Sequence, residues 1–162
     1  SGYYDGTGDY LSVPSTTTAL TFGTSDFTVE FWFYQTATMT AEYAIIETQT
    51  TSAFVIYKIG ASGALSYRGY ASGNDQTLIS HSNLLLNTWY HIAVSRTSGV
   101  TKGFVNGAQV FSVADTLTYA QPAVTPTIGA RNGGAVARDV HWHGSRPHLW
   151  CCHHLWARWD IC

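Results

Sequence analysis

Charged side chains are scarce in this 162-residue chain: Asp, Glu, Lys and Arg together make up 11%, and eight basic against ten acidic residues leave a formal net charge of -2. Such a surface builds no positive field for phosphates, so neither a nucleic acid nor an anionic membrane surface is expected as a partner. No stretch approaches the roughly 18 consecutive apolar residues that span a bilayer, so membrane insertion is not expected either. No signal-peptide pattern opens the chain, and any surface location is expected to be reached by another route. Cysteine is absent from residues 1–138. That part is therefore not a disulfide-dependent scaffold and has to be held by a buried core. Glutamate is limited to Glu30, Glu42 and Glu47. A convincing helical pattern is missing from the same part of the chain.

What the chain does contain is apolar weight in short alternating runs. At 45% hydrophobic, it is long enough for one domain with a sizeable core. Its polarity comes from Thr, Ser, Gly, Tyr and Asn, a composition typical of extracellular and virion β-proteins. In DFTVEFWFYQ, residues 26–35, Phe27, Val29, Phe31 and Phe33 fall on one face and Thr28, Glu30, Trp32 and Tyr34 on the other. That is a strand with one buried side. Further strands are predicted at 3–5, 10–13, 43–48, 53–59, 64–70, 76–80, 88–96, 102–105, 108–113 and 126–130, with turns at 6–8, 60–63, 72–75, 97–99 and 132–134. Asn106-Gly107 is the clearest turn, since a two-residue type I′ hairpin needs positive φ at both centres. The longest loop is expected at 115–125. An all-β, two-sheet antiparallel β-sandwich of the jelly-roll kind follows. Phe31, Phe33, Tyr90, Ile92 and Val94 are expected to fill its interior from opposing layers.

Four strings carry a resemblance: YYDGTGDYLSVP, SDFTVEFWFY, NTWYHIAVSRTSGVTKGFVNGAQV and PTIGARNGG. In this order they resemble the concanavalin A-like or laminin G-like jelly rolls, in the version common in phage and bacterial surface proteins. The resemblance implies two curved antiparallel sheets and a glycan- or protein-binding role. It also implies a structural calcium ion in some members and glycosidase activity in a minority.

The residues decide among these. A retaining glycosidase needs two carboxylates about 5 Å apart. Glu42 and Glu47 fall on opposite faces of a continuous strand, and Glu30 has no acidic neighbour at i+2 or i+4, so no enzyme is expected. Sugar binding needs an aromatic plate for the apolar face of a pyranose and polar groups for its hydroxyls. Glu30, Trp32, Tyr34, Trp89 and His91 face outward on this register and are the candidate ligand-binding residues. The alternative for Trp32 and Trp89 is packing beneath loops. Calcium is the one cofactor suggested, with Asp5 and Asp139 as candidate ligands at an edge of the sandwich, against the simpler role of satisfying turn amides. Asp26 and Asp75 read as turn residues.

From Asp139 the composition changes. Residues 139–162 lack Thr, Tyr, Phe and Lys but hold all three cysteines, five of the seven histidines and four of the six tryptophans. The chain accordingly divides into a jelly roll, 1–138, and an atypical tail, 139–162, that completes or packs on it. Three readings of the tail stand side by side. His141 and His143 share a face and begin a transition-metal site, although the spacing matches no zinc motif. The tail is a natural extension. Or it is an out-of-phase translation: dropping one base after the Asp139 codon permits F-T-G-T-x-x-D-L-x-x-G-V-A, close to the family's closing strand. In any of these, 139–143 can form a short strand. Leu149, Cys152, Trp156 and Trp159 recur at three and four, which predicts a short C-terminal helix.

These observations lead to a non-enzymatic, lectin-like carbohydrate-binding or adhesion module on a virion or extracellular surface. Its partners are expected to be a glycan or a virion or cell-surface protein, with self-association as a further partner. The competing class is a structural virion protein, a capsid decoration or tail component.

Overall fold

The alternation in DFTVEFWFYQ survives into three dimensions: along Phe27–Gln35 the odd-numbered residues are buried and the even-numbered ones half-buried or exposed. The computed structural model describes residues 2–4, 9–14, 21–37, 43–48, 54–59, 64–71, 74–81, 84–119, 125–129, 140–142 and 150–151. The strands, in chain order, are β1 (Gly2–Tyr4), β2 (Leu11–Ser12), β3 (Phe27–Gln35), β4 (Tyr43–Glu47), β5 (Phe54–Ile59), β6 (Ala64–Ala71) and β7 (Asn74–His81). They continue with β8 (Trp89–Thr97), β9 (Val100–Val105), β10 (Ala108–Ala114), β11 (Thr127–Ile128), β12 (Val140–Trp142) and β13 (Trp150–Cys151). A seven-stranded sheet runs β1-β12-β3-β8-β9-β10, with β13 also pairing β3, and a six-stranded sheet runs β2-β11-β4-β5-β6-β7. Every pairing is antiparallel. The expected all-β, two-sheet sandwich is the fold.

Its core takes Phe27, Val29, Phe31, Phe33, Ile92, Val94 and Val105 from the larger sheet and Ile45, Ile46, Leu65 and Tyr67 from the smaller. Each fully buried side chain of this kind contributes about 1.5–3 kcal/mol. One expectation needs correction. Phe31 pairs with Ile92, Phe33 with Tyr90 and Val29 with Val94, so these residues are cross-strand neighbours in one layer, not contributions from opposing layers. Alternation identifies the buried side of a strand but not the sheet it joins.

The turn chemistry holds in two hairpins. Asn106 and Gly107 have φ of 49° and 78° and join β9 to β10. Ser98 and Gly99, at 50° and 72°, join β8 to β9, and Asp26 Oδ1 accepts the Ser98 N–H at 2.8 Å. Asp75, by contrast, lies in β7 opposite Tyr70, and the turn expected at 72–75 is shorter because Asn74 already pairs with Ala71. A bulge between Gln109 and Phe111 lets Val110 and Phe111 both pack against the core. The Phe111 ring lies directly over Gly103, where an added Cβ would come within 2.1 Å of it.

The segment read as a long loop starts as a strap packed against the core. Leu117 and Tyr119 are buried, and Tyr119 exchanges backbone hydrogen bonds with Gly23 at 2.8 and 2.9 Å. Asp115, fully buried, organises this strap: it accepts from Thr101 Oγ1 (2.6 Å), Tyr119 Oη (2.8 Å) and the Leu117 N–H (3.1 Å). The buried Arg96 guanidinium lies 3.9 Å from Asp115 and donates to the carbonyls of Leu117 and Thr24. Tyr67 Oη meets Tyr119 Oη at 2.9 Å.

Burial above all pushes the Tyr67 and Tyr119 hydroxyls well above the ordinary value of 10.0. The unfolded chain ionises these tyrosines near that value and the folded one resists. Their contribution to stability is therefore complete below pH 10.0 and lost as the pH rises above it. In an alkaline titration followed by phenolate absorbance, two tyrosines should ionise only together with unfolding. Titration of every tyrosine before the fold is lost would contradict this.

In the tail, β12 forms the strand expected over 139–143 and inserts between β1 and β3. The helix predicted beyond Pro147 is not found where the tail is described: Trp150–Cys151 pair with Thr28 and Phe27 as β13. At Trp150–Cys151 the edge of β3 supplies the hydrogen-bonding partners, while Leu149 and Cys152, which began the helical spacing, lie outside the described residues, as does the rest of that spacing.

Candidate functional site

Because β3 buries its Phe and Val side chains, its even-numbered residues face away from the core, and antiparallel pairing with β8 sets what stands beside them. Trp32 is opposite His91, Tyr34 opposite Trp89 and Glu30 opposite Ala93. The five residues singled out in the sequence thus share one outer face of the seven-stranded sheet. Their rings form two pairs: Trp32 and His91 with centroids 5.2 Å apart, and Tyr34 and Trp89 at 5.0 Å. Trp32 is 41% exposed and Trp89 37%, so both present surface to solvent. Glu30 Oε2 lies 3.6 Å from His91 Nε2, with both side chains about one-third exposed. Such a pair is screened by water, and its value is in presenting polar groups next to an aromatic plate rather than in stability.

Two neighbours escaped the sequence reading. Asn106 in the β9–β10 turn accepts the His91 N–H through Oδ1 at 2.8 Å and donates its own N–H to the His91 carbonyl at 2.8 Å. It thereby fixes the backbone beneath the imidazole. Asn-Gly signalled a turn, but nothing local signalled a contact 15 residues away. The turn before β8 exposes Leu85 (67%) and Leu86 (39%). It is held by the Leu85 N–H donating to Tyr90 Oη (3.0 Å) and the Asn87 N–H donating to the Gln35 carbonyl (2.8 Å). The turn leading into β8 therefore adds exposed apolar surface of its own.

In chemical terms the face offers flat apolar plates and, beside them, a carboxylate acceptor and an imidazole. Glu30 has no second carboxylate near it among the described residues of this face, and Glu47 is buried in the other sheet. The two glutamates cannot make the paired carboxylates of a retaining glycosidase. Glu42 lies outside the described residues. Among the described residues no group of three His, Cys, Asp or Glu is arranged to hold a metal ion. The calcium candidates Asp5 and Asp139, and His143 of the transition-metal pair, lie outside the described residues. His141 sits in β12 at the register position opposite Tyr34. No helix among the described residues is long and apolar enough to cross a membrane.

Comparison with known proteins agrees with this architecture. Galectin LEC-6 of Caenorhabditis elegans superposes with a TM-score of 0.52 at 16% identity, over 87% of this chain and 91% of that one. A botulinum neurotoxin DC binding domain, solved in complex with rat synaptotagmin II, superposes with a TM-score of 0.55 at 15% identity, over 74% of this chain and 31% of that one. A botulinum neurotoxin type C structure described as interacting with two ganglioside molecules gives 0.51 at 18% identity, over 64% and 27%. The chain thus matches less than a third of either toxin chain, and at these identities the likeness is one of fold. No curated protein matches the chain in sequence. The Laminin_G_3 family model, described as concanavalin A-like lectin/glucanases superfamily, matches residues 5–145. The chain belongs to the concanavalin A-like lectin/glucanases superfamily.

Proposed function

We propose that the protein is a non-enzymatic carbohydrate-binding or adhesion module acting at an extracellular or virion surface, with the outer face of β3 and β8 as its glycan platform. The observation that carries the reading is the grouping of two exposed tryptophans, each in contact with a second ring, around the Glu30–His91 pair. A pyranose laid on Trp32 buries its C–H face while its hydroxyls reach Glu30 and His91. The fold shared with a galectin supports the reading. Each contact is weak, so useful adhesion comes from display of many copies. On a glycan array, Trp32→Ala and Trp89→Ala should each lower binding at least ten-fold, with the fold retained by circular dichroism. Undiminished binding by both variants would remove this face from the site.

A second reading, a structural virion protein contacting other subunits, draws on the exposed Leu85 and Leu86, which suit a protein surface better than a sugar. In that case the purified protein should ignore glycans and bind only assembled particles.

A further inference from the structure

We infer that the β3–β8 face selects neutral glycans over anionic ones, an inference that rests on the carbohydrate-binding reading of the same site. Among the described residues, Glu30 is the carboxylate set within the aromatic patch, next to Trp32 along β3 and 3.6 Å from His91. The fixed cation on the same face, among the described residues, is Lys102, which stands on β9 in the row of Ser95 and Thr28, one row beyond Glu30 and two strands from β3. Arg96, although on β8, is buried on the core side and committed to Asp115, Leu117 and Thr24.

A carboxylate only accepts hydrogen bonds. The hydroxyls of a neutral sugar donate to Glu30 while the ring lies on Trp32, so acceptor and plate act on one residue of the ligand. A sialic acid, a uronate or a sulfate ester brings oxygens that are also acceptor-only and negatively charged. At Glu30 these find no donor and meet like charge. Among the described residues, His91 is the nearest group able to compensate, but its Nε2 is turned towards Glu30. Recognition of anionic groups elsewhere relies on Arg or Lys presented to the ligand. In the described rows around Trp32 there is none.

The test is a glycan array of matched pairs, each neutral oligosaccharide printed with and without a terminal sialic acid, uronic acid or sulfate, probed with the wild type, Glu30→Gln and Trp32→Ala. A neutral, bulky cap of similar size serves as a steric control. The expected result is neutral binding that falls about ten-fold or more with an acidic cap but not with the neutral one. Glu30→Gln should narrow that gap, since its amide both donates and accepts. Acid-capped glycans bound as well as neutral ones, or a gap unchanged in Glu30→Gln, would overturn the selectivity while Trp32-dependent binding upheld the site. No glycan bound by the wild type would overturn both.

Discussion

Replacing Asp115 by alanine should cost about 3–5 kcal/mol of stability, because it leaves the Arg96 guanidinium buried without its counter-charge. The Thr101 and Tyr119 hydroxyls and the Leu117 N–H lose their acceptor at the same time. A domain of this kind has only about 5–15 kcal/mol in total, so the variant is expected to unfold at far lower urea than the wild type. The strap that carries Leu117 and Tyr119 over the core should loosen first. Replacing both charged residues, as Arg96→Met with Asp115→Leu, removes the unpaired charge and should recover a large part of the loss. Urea unfolding of the three proteins checks this. A loss below about 1 kcal/mol in Asp115→Ala, the value of a solvent-screened pair, would mean that the network does not hold the strap.

Deleting residues 139–162 should be at least as damaging. Among the described residues β1 pairs only with β12, and β12 alone links it to β3. Without the tail, the larger sheet keeps β3, β8, β9 and β10, and β3 becomes an open edge whose core side carries Phe27, Val29, Phe31 and Phe33. Unpaired backbone beside a run of large apolar residues is a template for association. Thermal unfolding should fall by roughly 10 °C or more, since each kcal/mol is worth about 2–4 °C at this size, and the deletion variant should aggregate. A shorter deletion, of residues 143–162, keeps β12 and should retain most of the stability. Equal stability of the full chain and both deletions would show that the tail strand is dispensable. β12 lies in the part of the chain where the resemblance implies a closing strand, and it pairs with β3.

The alternation in residues 26–35 and 88–96 was enough to name which side chains leave the core, and so to name Glu30, Trp32, Tyr34, Trp89 and His91. Period-two patterning is a local property of the backbone and needs no partner to be read. The same holds for Asn106-Gly107, where both residue types match the positive φ they adopt, and for Gly99 in the Ser98-Gly99 turn. The helix predicted past Pro147 failed at Trp150–Cys151 because hydrogen bonds from a distant strand outweigh a helical spacing. Asp115 read as the start of a loop, since nothing near it announces Arg96, Thr101 or Tyr67.

By itself, then, the sequence determined the strand content ahead of the tail, the two hairpin turns and the faces of β3 and β8, all set by neighbours within a few residues. Only the tertiary structure decided that β3 and β8 are adjacent in one sheet, and this adjacency turns two separate outward faces into a single aromatic patch with Trp32 beside His91 and Tyr34 beside Trp89. It also decided that Asp115 is buried against Arg96 and that the tail closes the sheet between β1 and β3. The physical reason is that strand pairing and charge burial are contacts between residues distant in the chain. Their energy depends on which surfaces meet, and no local pattern encodes that.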